Sequence, residues 1–186
     1  MEALREHQRY TYADYCTWGD EERWELIDGV AYAMSPSPSW KHQEISANLH
    51  FQLYSFLKDK PCKVFAAPFD VRLNADSDDD TVVQPDIVVI CDTAKLDDKG
   101  CIGAPDMVIE ILSPSTALRD RVLKLRWYLR AGVREYWIVD PDSKTVSVHL
   151  LKNGEYYIRA YDGDDDGAAV HVLEGCVIDI GDIFGE

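Results

Sequence analysis

Three stretches of sequence decide the fold: TVVQPDIVVI at residues 81–90, PDMVIEILSPST at 105–116 and RDRVLKLRWYLRAG at 119–132. The first two are short and rich in Val and Ile, and each brings one carboxylate, Asp86 or Glu110, into an otherwise apolar run. Such runs are typical of strands that are buried on both faces. The third stretch has the apolar spacing of a helix. The sequence therefore predicts a buried sheet that carries two acids, followed by a helix.

The two buried acids indicate a metal site. An ionised carboxylate inside a sheet is unfavourable unless a cation or hydrogen-bond donors compensate it. If the strands are neighbours, Asp86 and Glu110 can share one hard cation such as Mg²⁺ or Mn²⁺, for which oxygen ligands are the natural choice. Such an ion activates water for attack on a phosphodiester, and Lys124 is the candidate for an ammonium that orients that water. The pattern favours metal-dependent phosphodiester hydrolysis.

Each acid also has a structural interpretation. Asp86 follows Pro85 and can simply cap a strand end, and Glu110 can pair with an arginine. Asp120 and Lys124 are spaced i,i+4, which is usually a solvated surface pair. These alternatives stay open at the level of sequence, although the residues together point more strongly to a site than any one alone.

The helix after Glu110 is predicted from about Ser115 to Ala131, with Ser115 or Thr116 as its cap and Gly132 as its end. Its expected apolar stripe consists of Leu118, Val122, Leu125 and Leu129. Lys124 lies opposite this stripe, but so do Trp127 and Tyr128, and a solvated face seldom carries two large aromatic residues. The two aromatic residues therefore argue against a freely solvated polar side.

Composition is that of one globular domain, 1–186: 46% of the residues are apolar and 28% are charged. The net charge of −15 lacks the basic surplus of proteins that hold nucleic acid mainly through phosphate contacts, so tight non-specific DNA binding without a cation is not expected. No apolar run is long enough for a membrane span, and residues 1–10 lack the apolar centre of a signal peptide. We expect a cytoplasmic protein that does not enter membranes.

The cysteines are odd in number, scattered and never spaced as CxxC: Cys16, Cys62, Cys91, Cys101 and Cys176. This argues against a disulfide framework and against a thiolate zinc site. We expect reduced thiols that mostly serve packing.

Local patterns place the remaining elements. Asp28-Gly29 and Asn153-Gly154 predict two-residue hairpin turns, the first between strands at about 23–27 and 30–34. Further predicted elements are a short helix at 11–18, a long helix from Trp40 to about Lys58, central strands at 62–73, 81–90 and 104–112, a strand at 134–140, and a short final strand in the tail. The strand REYWIVD at 134–140 and the hairpin at 145–161 are apolar enough to suggest a homodimer.

The order of these motifs resembles the Uma2 family, once called DUF820, within the PD-(D/E)XK restriction-endonuclease-like nucleases. The motifs that carry it are ELIDG at 25–29, Pro85-Asp86, EILSPST at 110–116, Asp120-x-x-x-Lys124-x-x-x-Tyr128 and AGVREYWIVDP at 131–141. The resemblance implies an α/β (α+β) fold with a restriction endonuclease-like core, in which a central mixed sheet is flanked by helices and extended by hairpins. It also implies an endonuclease that hydrolyses DNA with a divalent metal.

The resemblance also implies residue roles. Asp86 and Glu110 are the acids of the two half-motifs, and Glu25 is the acid supplied near the start of the chain. The wider superfamily has a lysine two residues after the second acid, but here that position is Leu112. The resemblance suggests that Lys124 on the next helix replaces it.

Other residues are secondary candidates. Gln84 can contact the phosphate or water, Asp120 can orient Lys124, and Tyr128 can pack beside Lys124. His42, where the family also tends to have a histidine, is more often a packing residue than a ligand. The competing hypothesis, motivated by the acidic surface and Leu112, is a catalytically inactive module that keeps the nuclease fold for binding or assembly.

Overall fold

The chain folds as an α+β protein in a computed structural model that describes residues 8–19, 23–34, 37–75, 78–114 and 119–185, without the side chains of residues 119 and 120. The helices are α1 Tyr12–Tyr15, α2 Trp40–Leu57, α3 Leu125–Ala131 and α4 Ile180–Phe184, with a 3₁₀ turn at Thr93–Lys95 and a π-helical segment at Arg119–Lys124. The strands are β1 Trp24–Ile27, β2 Val30–Ala33, β3 Lys63–Ala66, β4 Asp70–Arg72, β5 Val82–Val83, β6 Ile87–Ile90, β7 Leu96–Asp97, β8 Gly100–Ile102, β9 Met107–Ile111, β10 Glu135–Asp140, β11 Thr145–Lys152, β12 Glu155–Tyr161, β13 Ala168–Val170 and β14 Cys176–Ile178.

Two large mixed sheets form the framework. The first has the strand order β2-β1-β5-β4-β8-β7 and the second the order β12-β11-β10-β9-β6-β3, with six strands each. Strands β13 and β14 form a separate pair. In the second sheet only β9 and β10 run parallel. The predicted mixed sheet is therefore confirmed, but it is accompanied by a second sheet of equal strand number.

The stretch 81–90 joins the two sheets. It was predicted as one central strand, and the structure divides it: Val82 pairs with β1 in the first sheet, whereas Ile87–Ile90 pair with β3 and β9 in the second. Pro85 lies between the two parts and has no N–H for a sheet ladder. The stretch 62–73 is likewise divided into β3 and β4, with a cis peptide bond before Pro68 between them. Asp86 consequently lies where the chain crosses between sheets.

The second sheet is covered on both faces. Helix α2 buries Ile45, Leu49, Leu53 and Leu57 in a cluster with Ile87, Ile109 and Trp137 on one face. On the other face Val88, Val108 and Tyr136 pack with α3 and with residues of the first sheet. Side chains alternate along β9, so Glu110 shares the face of Val108. The acids therefore point toward α3 and the first sheet.

The side of helix α3 and its preceding segment that faces the protein interior is the polar side, and not the predicted apolar stripe. Val122 is 45% exposed, whereas Lys124 is 4% and Tyr128 is 0% exposed. The proposed cap residues Ser115 and Thr116, as well as Leu118, lie outside the described residues. The π-helical segment Arg119–Lys124 precedes α3, so the chain does not follow the 3.6-residue period on which the stripe was based. The polar side, which carries Lys124 and Tyr128, is the buried one.

Both hairpins are confirmed, with turns at Asp28-Gly29 and Asn153-Gly154. The tail departs from the prediction, because β14 is followed by α4. The strand REYWIVD is not exposed: Glu135 to Val139 are buried as β10 between β9 and β11. That strand cannot offer the dimer surface expected of it. None of the helices in the described ranges combines the length and apolarity needed to cross a membrane.

The expectation of reduced cysteines is wrong for two of the five. Cys62 and Cys91 form a disulfide. Because Lys63 pairs with Ile90, these cysteines lie opposite each other at the ends of β3 and β6. The other three, Cys16, Cys101 and Cys176, are free thiols. The pairing depends on strand register, which cysteine spacing alone does not reveal.

Candidate active site

Asp86 and Glu110 face each other across neighbouring strands. Strands β6 and β9 are antiparallel and Ile87 pairs with Ile109, so the preceding residue Asp86 lies opposite Glu110. Residues directly opposite each other in an antiparallel pair point to the same face. The strands of Asp86 and Glu110 are therefore neighbours, as the predicted metal site requires.

The side chain of Asp86, in place of a backbone carbonyl, accepts a hydrogen bond from the neighbouring strand. Its Oδ2 accepts a hydrogen bond from the backbone N–H of Ile111 at 2.7 Å. His42, near the start of α2, places Nε2 3.3 Å from the same oxygen. No donor in the described part of the chain hydrogen-bonds to Oδ1 of Asp86. The carboxylate is therefore fixed through one oxygen while the other remains able to accept a ligand.

Lys124 joins two buried acids from different sheets. Its Nζ lies 2.9 Å from Oε1 of Glu110 and 2.8 Å from Oε1 of Glu25. The three side chains are 5% exposed or less. Oε1 of Glu25 also accepts the backbone N–H of Gln84 at 3.1 Å. The ammonium thus holds β1, β9 and the helical region after residue 119 together.

Tyr128, one turn after Lys124, completes the environment of Glu110. Its hydroxyl donates to Oε1 of Glu110 at 2.7 Å. Burial, followed by the negative charge of Glu110, raises the pKa of Tyr128 well above its ordinary value, so the hydroxyl keeps its proton and stays a donor. Glu110 therefore receives two donors from successive turns, which fixes its orientation.

The site brings three carboxylates together with one buried ammonium. Glu25 and Glu110 contact the ammonium of Lys124, and Asp86 lines the same cavity beside the imidazole of His42. In a low-dielectric site an excess of negative charge is unfavourable unless a cation balances it. The arrangement can hold a further cation.

Gln84 is held in a network on the side of the first sheet. Its Oε1 accepts hydrogen bonds from Arg23 at 3.1 and 2.6 Å, and its Nε2 donates to the Tyr15 hydroxyl at 3.0 Å and to Oδ1 of Asp70 at 2.8 Å. Burial raises the pKa of Asp70, and the hydrogen bonds from Gln84 and Tyr15 oppose the rise. The amide group is fully engaged, so Gln84 is fixed beside the acids while its backbone supports Glu25.

These residues line a cavity of about 480 Å³. Its walls include Glu25, His42, Gln84, Asp86, Glu110 and Lys124, and its rim adds the cations Arg23 and Lys41. The structure thus brings together six of the eight residues that the sequence singled out. Tyr128 lies behind Glu110, and the side chain of Asp120 lies outside the described residues.

Two carboxylates are a sufficient set of protein ligands for Mg²⁺ or Mn²⁺. Among the described residues no group of three or more His, Cys, Asp or Glu side chains is placed to hold an ion. Mg²⁺ is typically bound through one or two carboxylates, with waters and substrate phosphates completing its shell. The donor set of Asp86 and Glu110 fits that requirement.

Sequence reasoning missed Arg23, Tyr15 and Asp70. They are distant from Asp86 in sequence and belong to no motif that carries chemistry by its spacing. Asp70 reaches Gln84 because β4 pairs with β5, and Arg23 reaches it because β1 pairs with β5 in the first sheet. An acid at the start of a strand, as Asp70 is, was the one signal available.

Comparisons with known proteins agree with this architecture. The sequence profile of the Uma2 family, described as "Putative restriction endonuclease", matches residues 10–181. An uncharacterized protein of Synechocystis is 28% identical over 156 residues, which is 82% of this chain and 80% of that protein. The crystal structure of a putative nuclease belonging to DUF820 from Anabaena variabilis superposes with a TM-score of 0.76 at 24% identity, covering 95% of this chain and 98% of that one. At that identity the structural likeness shows the fold alone.

Proposed function

The chain belongs to the Uma2 family, and from this premise and the acidic cavity we propose that it is an endonuclease that hydrolyses DNA phosphodiester bonds with Mg²⁺ or Mn²⁺. The observation that carries the proposal is the pair of opposed acids, Asp86 and Glu110, in one cavity with a lysine. A purely structural ion pair would need one acid for one lysine. Here Lys124 contacts two carboxylates, and a third, that of Asp86, lines the same cavity.

Asp86 and Glu110 would hold the ion. When bound, the ion would polarise a phosphoryl oxygen and lower the pKa of a water. Because Oδ2 of Asp86 is already fixed by the Ile111 amide, its other oxygen is presented without a further loss of side-chain freedom. This is preorganisation in the sense that favours catalysis.

Lys124 would stabilise negative charge that develops on the phosphate during attack. Its ammonium is already at Glu110, 2.9 Å from Oε1, so a helix lysine has reached the second acid although residue 112 is Leu. This geometry removes one of the two reasons for an inactive module. The acidic surface is the other reason. A bound divalent ion would offset that negative charge at the site.

Glu25 and Tyr128 are positioning residues in this proposal. Glu25 accepts hydrogen bonds from Lys124 and from the Gln84 amide through one oxygen, which fixes the ammonium between two acids. Tyr128 fixes Glu110. His42 places Nε2 3.3 Å from Oδ2 of Asp86 and so helps to position that carboxylate.

Nicking of supercoiled plasmid tests the proposal. Wild-type protein should convert the plasmid to the open-circular form with Mg²⁺ or Mn²⁺ and not with EDTA. Glu110→Gln and Lys124→Met should lower the rate by about 100-fold or more, as loss of one preorganised charge group does. Glu174→Gln, at an exposed carboxylate, is the matched control and should cut at the wild-type rate. Equal absence of cutting by wild type and Asp86→Ala with both metals would refute the proposal.

A further inference from the structure

Helix α2 has an aromatic face directed to solvent. Trp40 and Phe51 are each 70% exposed and Tyr54 is 58% exposed, although the opposite face of the helix packs on the second sheet. At about 100° per residue, positions 40, 47, 51 and 54 lie within about 60° of one another on the helix surface. We call Trp40, Ala47, Phe51 and Tyr54 the α2 outer stripe. Its length is about 21 Å at 1.5 Å per residue.

The exposed aromatic residues of the α2 outer stripe lie along one side of the helix. Isolated apolar side chains on a surface are ordinary, whereas a contiguous patch usually marks an interaction site. Of the tryptophans of the chain, Trp40 alone is among the exposed large apolar residues in the described ranges. The stripe is therefore a candidate binding surface.

The charge of this region is opposite to that of the chain. Residues 37–66 contain four lysines, Lys41, Lys58, Lys60 and Lys63, and only two acids, Glu44 and Asp59. The whole chain has 19 basic and 34 acidic residues. Two of these lysines lie over aromatic rings, with Lys41 Nζ 5.8 Å from the centre of Trp40 and Lys60 Nζ 3.0 Å from that of Phe56. Lys41 thus places a cation beside the first aromatic residue of the stripe, whereas Phe56 packs against the core. The acid Glu44 lies on the stripe side, one turn after Trp40.

The stripe begins beside the cavity: its own residues do not line the cavity, but Trp40 lies between Ser39 and Lys41, which do. Ser39, Lys41, His42, Gln43 and Ser46, all at the start of α2 or in its first two turns, line the cavity that holds Asp86 and Glu110. The helix then leads away from the cavity through His50, which stacks on Tyr54 with ring centres 6.2 Å apart. A polymer bound in the cavity can therefore continue along α2.

On its far side the stripe borders α4 and the acidic residues Asp179 and Asp182. There α4 packs beside α2, with Asn48 donating to the backbone oxygen of Asp182 and Gln52 donating to that of Asp179. The carboxylates of these two aspartates belong to that border. An anionic chain is consequently directed to the cavity side of the stripe.

We propose that the α2 outer stripe binds an unpaired, single-stranded segment of DNA adjacent to the phosphodiester held in the cavity. This inference rests on the proposed nuclease function and names the form of its substrate. Exposed aromatic rings stack on the faces of unpaired bases, and lysines contact the phosphates between them. In a duplex the base faces are already stacked on each other, so duplex DNA uses only the lysines. The enzyme should accordingly prefer loops, flaps or overhangs to intact duplex.

Binding can be measured without catalysis. A fluorescein-labelled single-stranded 20-mer and the same sequence as a duplex are titrated with full-length protein in EDTA, with fluorescence anisotropy as the readout. The single strand should bind at least about tenfold more tightly than the duplex. Trp40→Ala and Phe51→Ala should each weaken single-strand binding by about fivefold or more, the effect of one lost base stack, and leave duplex binding nearly unchanged.

Tyr157→Ala is the matched control, because Tyr157 is an aromatic residue of similar exposure, 53%, on the edge strand β12. It should bind both DNA forms as wild type does. Trp40→Phe gives a second readout: it should keep most of the affinity, since phenylalanine also stacks, but lose most of the tryptophan fluorescence quenching that DNA produces. Circular dichroism establishes that each variant is folded.

The outcomes separate this inference from the proposed function. If plasmid is nicked but the stripe variants bind and quench as wild type, the inference is wrong and the nuclease function stands. If no cleavage occurs but the aromatic variants lose single-strand binding, the stripe stands and the hydrolytic proposal fails. If Trp40→Ala and Phe51→Ala bind DNA normally but convert a dimer to a monomer in sedimentation velocity, the stripe joins two copies of the chain and the inference is overturned.

Discussion

At the scale of single residues, the pairing of Lys124 with two acids links stability to function. Glu25 and Glu110 come from strands of different sheets, and both are compensated by one ammonium. A buried pair of this kind adds little net stability over apolar packing, but removal of one partner leaves an uncompensated charge. The same lysine is therefore needed for folding and, in the proposed function, for chemistry.

Lys124→Met should lower the free energy of unfolding by about 3 to 5 kcal/mol at pH 7, because it leaves buried carboxylates without their cation. The deficit should shrink toward about pH 5, since protonation of one carboxylate then removes the uncompensated charge. Urea denaturation at both pH values measures this. Lys152→Met, at an exposed lysine, should cost almost nothing. A deficit that is the same at both pH values would contradict the explanation.

Tyr128→Phe removes the hydroxyl that donates to Glu110. We expect a loss of about 1 to 3 kcal/mol of stability, the range for a hydrogen bond to a charged group, together with a lower nicking rate at saturating DNA. Tyr156→Phe is the control, because that hydroxyl donates to the Val133 carbonyl at 2.9 Å, away from the acids. It should reduce stability without changing the nicking rate. Equal nicking by both variants would show that Tyr128 does not position the site.

His149 should make stability depend on pH. It is 5% exposed, and neither ring nitrogen has a hydrogen-bond partner among the described residues. Burial, and secondarily Arg121, lowers its pKa below 6.5, so the unfolded chain takes up a proton that the folded chain does not. Stability should therefore fall as pH drops below 6.5, with a slope of at most about 1.4 kcal/mol per pH unit. In denaturation series, His149→Phe should reduce that slope, and an unchanged slope would contradict this assignment.

At the scale of elements, the disulfide closes the pair β3 and β6, whose far end carries Asp86. In the chain-entropy description, a bridge across 29 residues stabilises by about 3 to 4 kcal/mol. The double variant Cys62→Ala/Cys91→Ala should lose about that much in urea denaturation. Wild type measured with dithiothreitol should match it, and Cys16→Ser, at an exposed free thiol, should match oxidised wild type. No difference between oxidised and reduced wild type would mean that the bridge does not stabilise this strand pair.

Elements with strong local signals were predictable from sequence. The Asp28-Gly29 and Asn153-Gly154 hairpins, the long helix α2 and the acid-bearing strand β9 follow from turn chemistry and periodicity. The division of residues 81–90 into two strands was not predictable from sequence. Two strands of two and four residues in different sheets have the same apolar pattern as one continuous strand. Their separation is decided by pairing partners far away in sequence.

The prediction of which face of α3 is buried failed for a different physical reason. Its apolar stripe predicts burial of Val122, but Glu25 and Glu110 require a cation and a donor, and Lys124 and Tyr128 supply them. The electrostatic requirement of the buried acids exceeds the gain from burying one valine. Knowledge of the acids' burial would have been sufficient to choose the correct face.

At the scale of the whole molecule, the site exists only when all layers are assembled. The first sheet contributes Glu25, the second contributes Glu110, α2 contributes His42, and the segment before α3 contributes Lys124, while Asp86 lies at the crossing between sheets. Family membership supports a nuclease fold for this arrangement. The chain's net charge of −15 means that a phosphodiester approaches this site against an unfavourable field unless a cation is bound.

The central claim is that a divalent cation balances the acids of the cavity. Anomalous diffraction from crystals of wild type and of Glu110→Gln, both soaked in Mn²⁺, tests it most directly. We predict a manganese peak within coordinating distance of Asp86 and Glu110 in wild type, and a weaker peak or none in the variant. A wild-type cavity without manganese at saturating concentration would contradict the account.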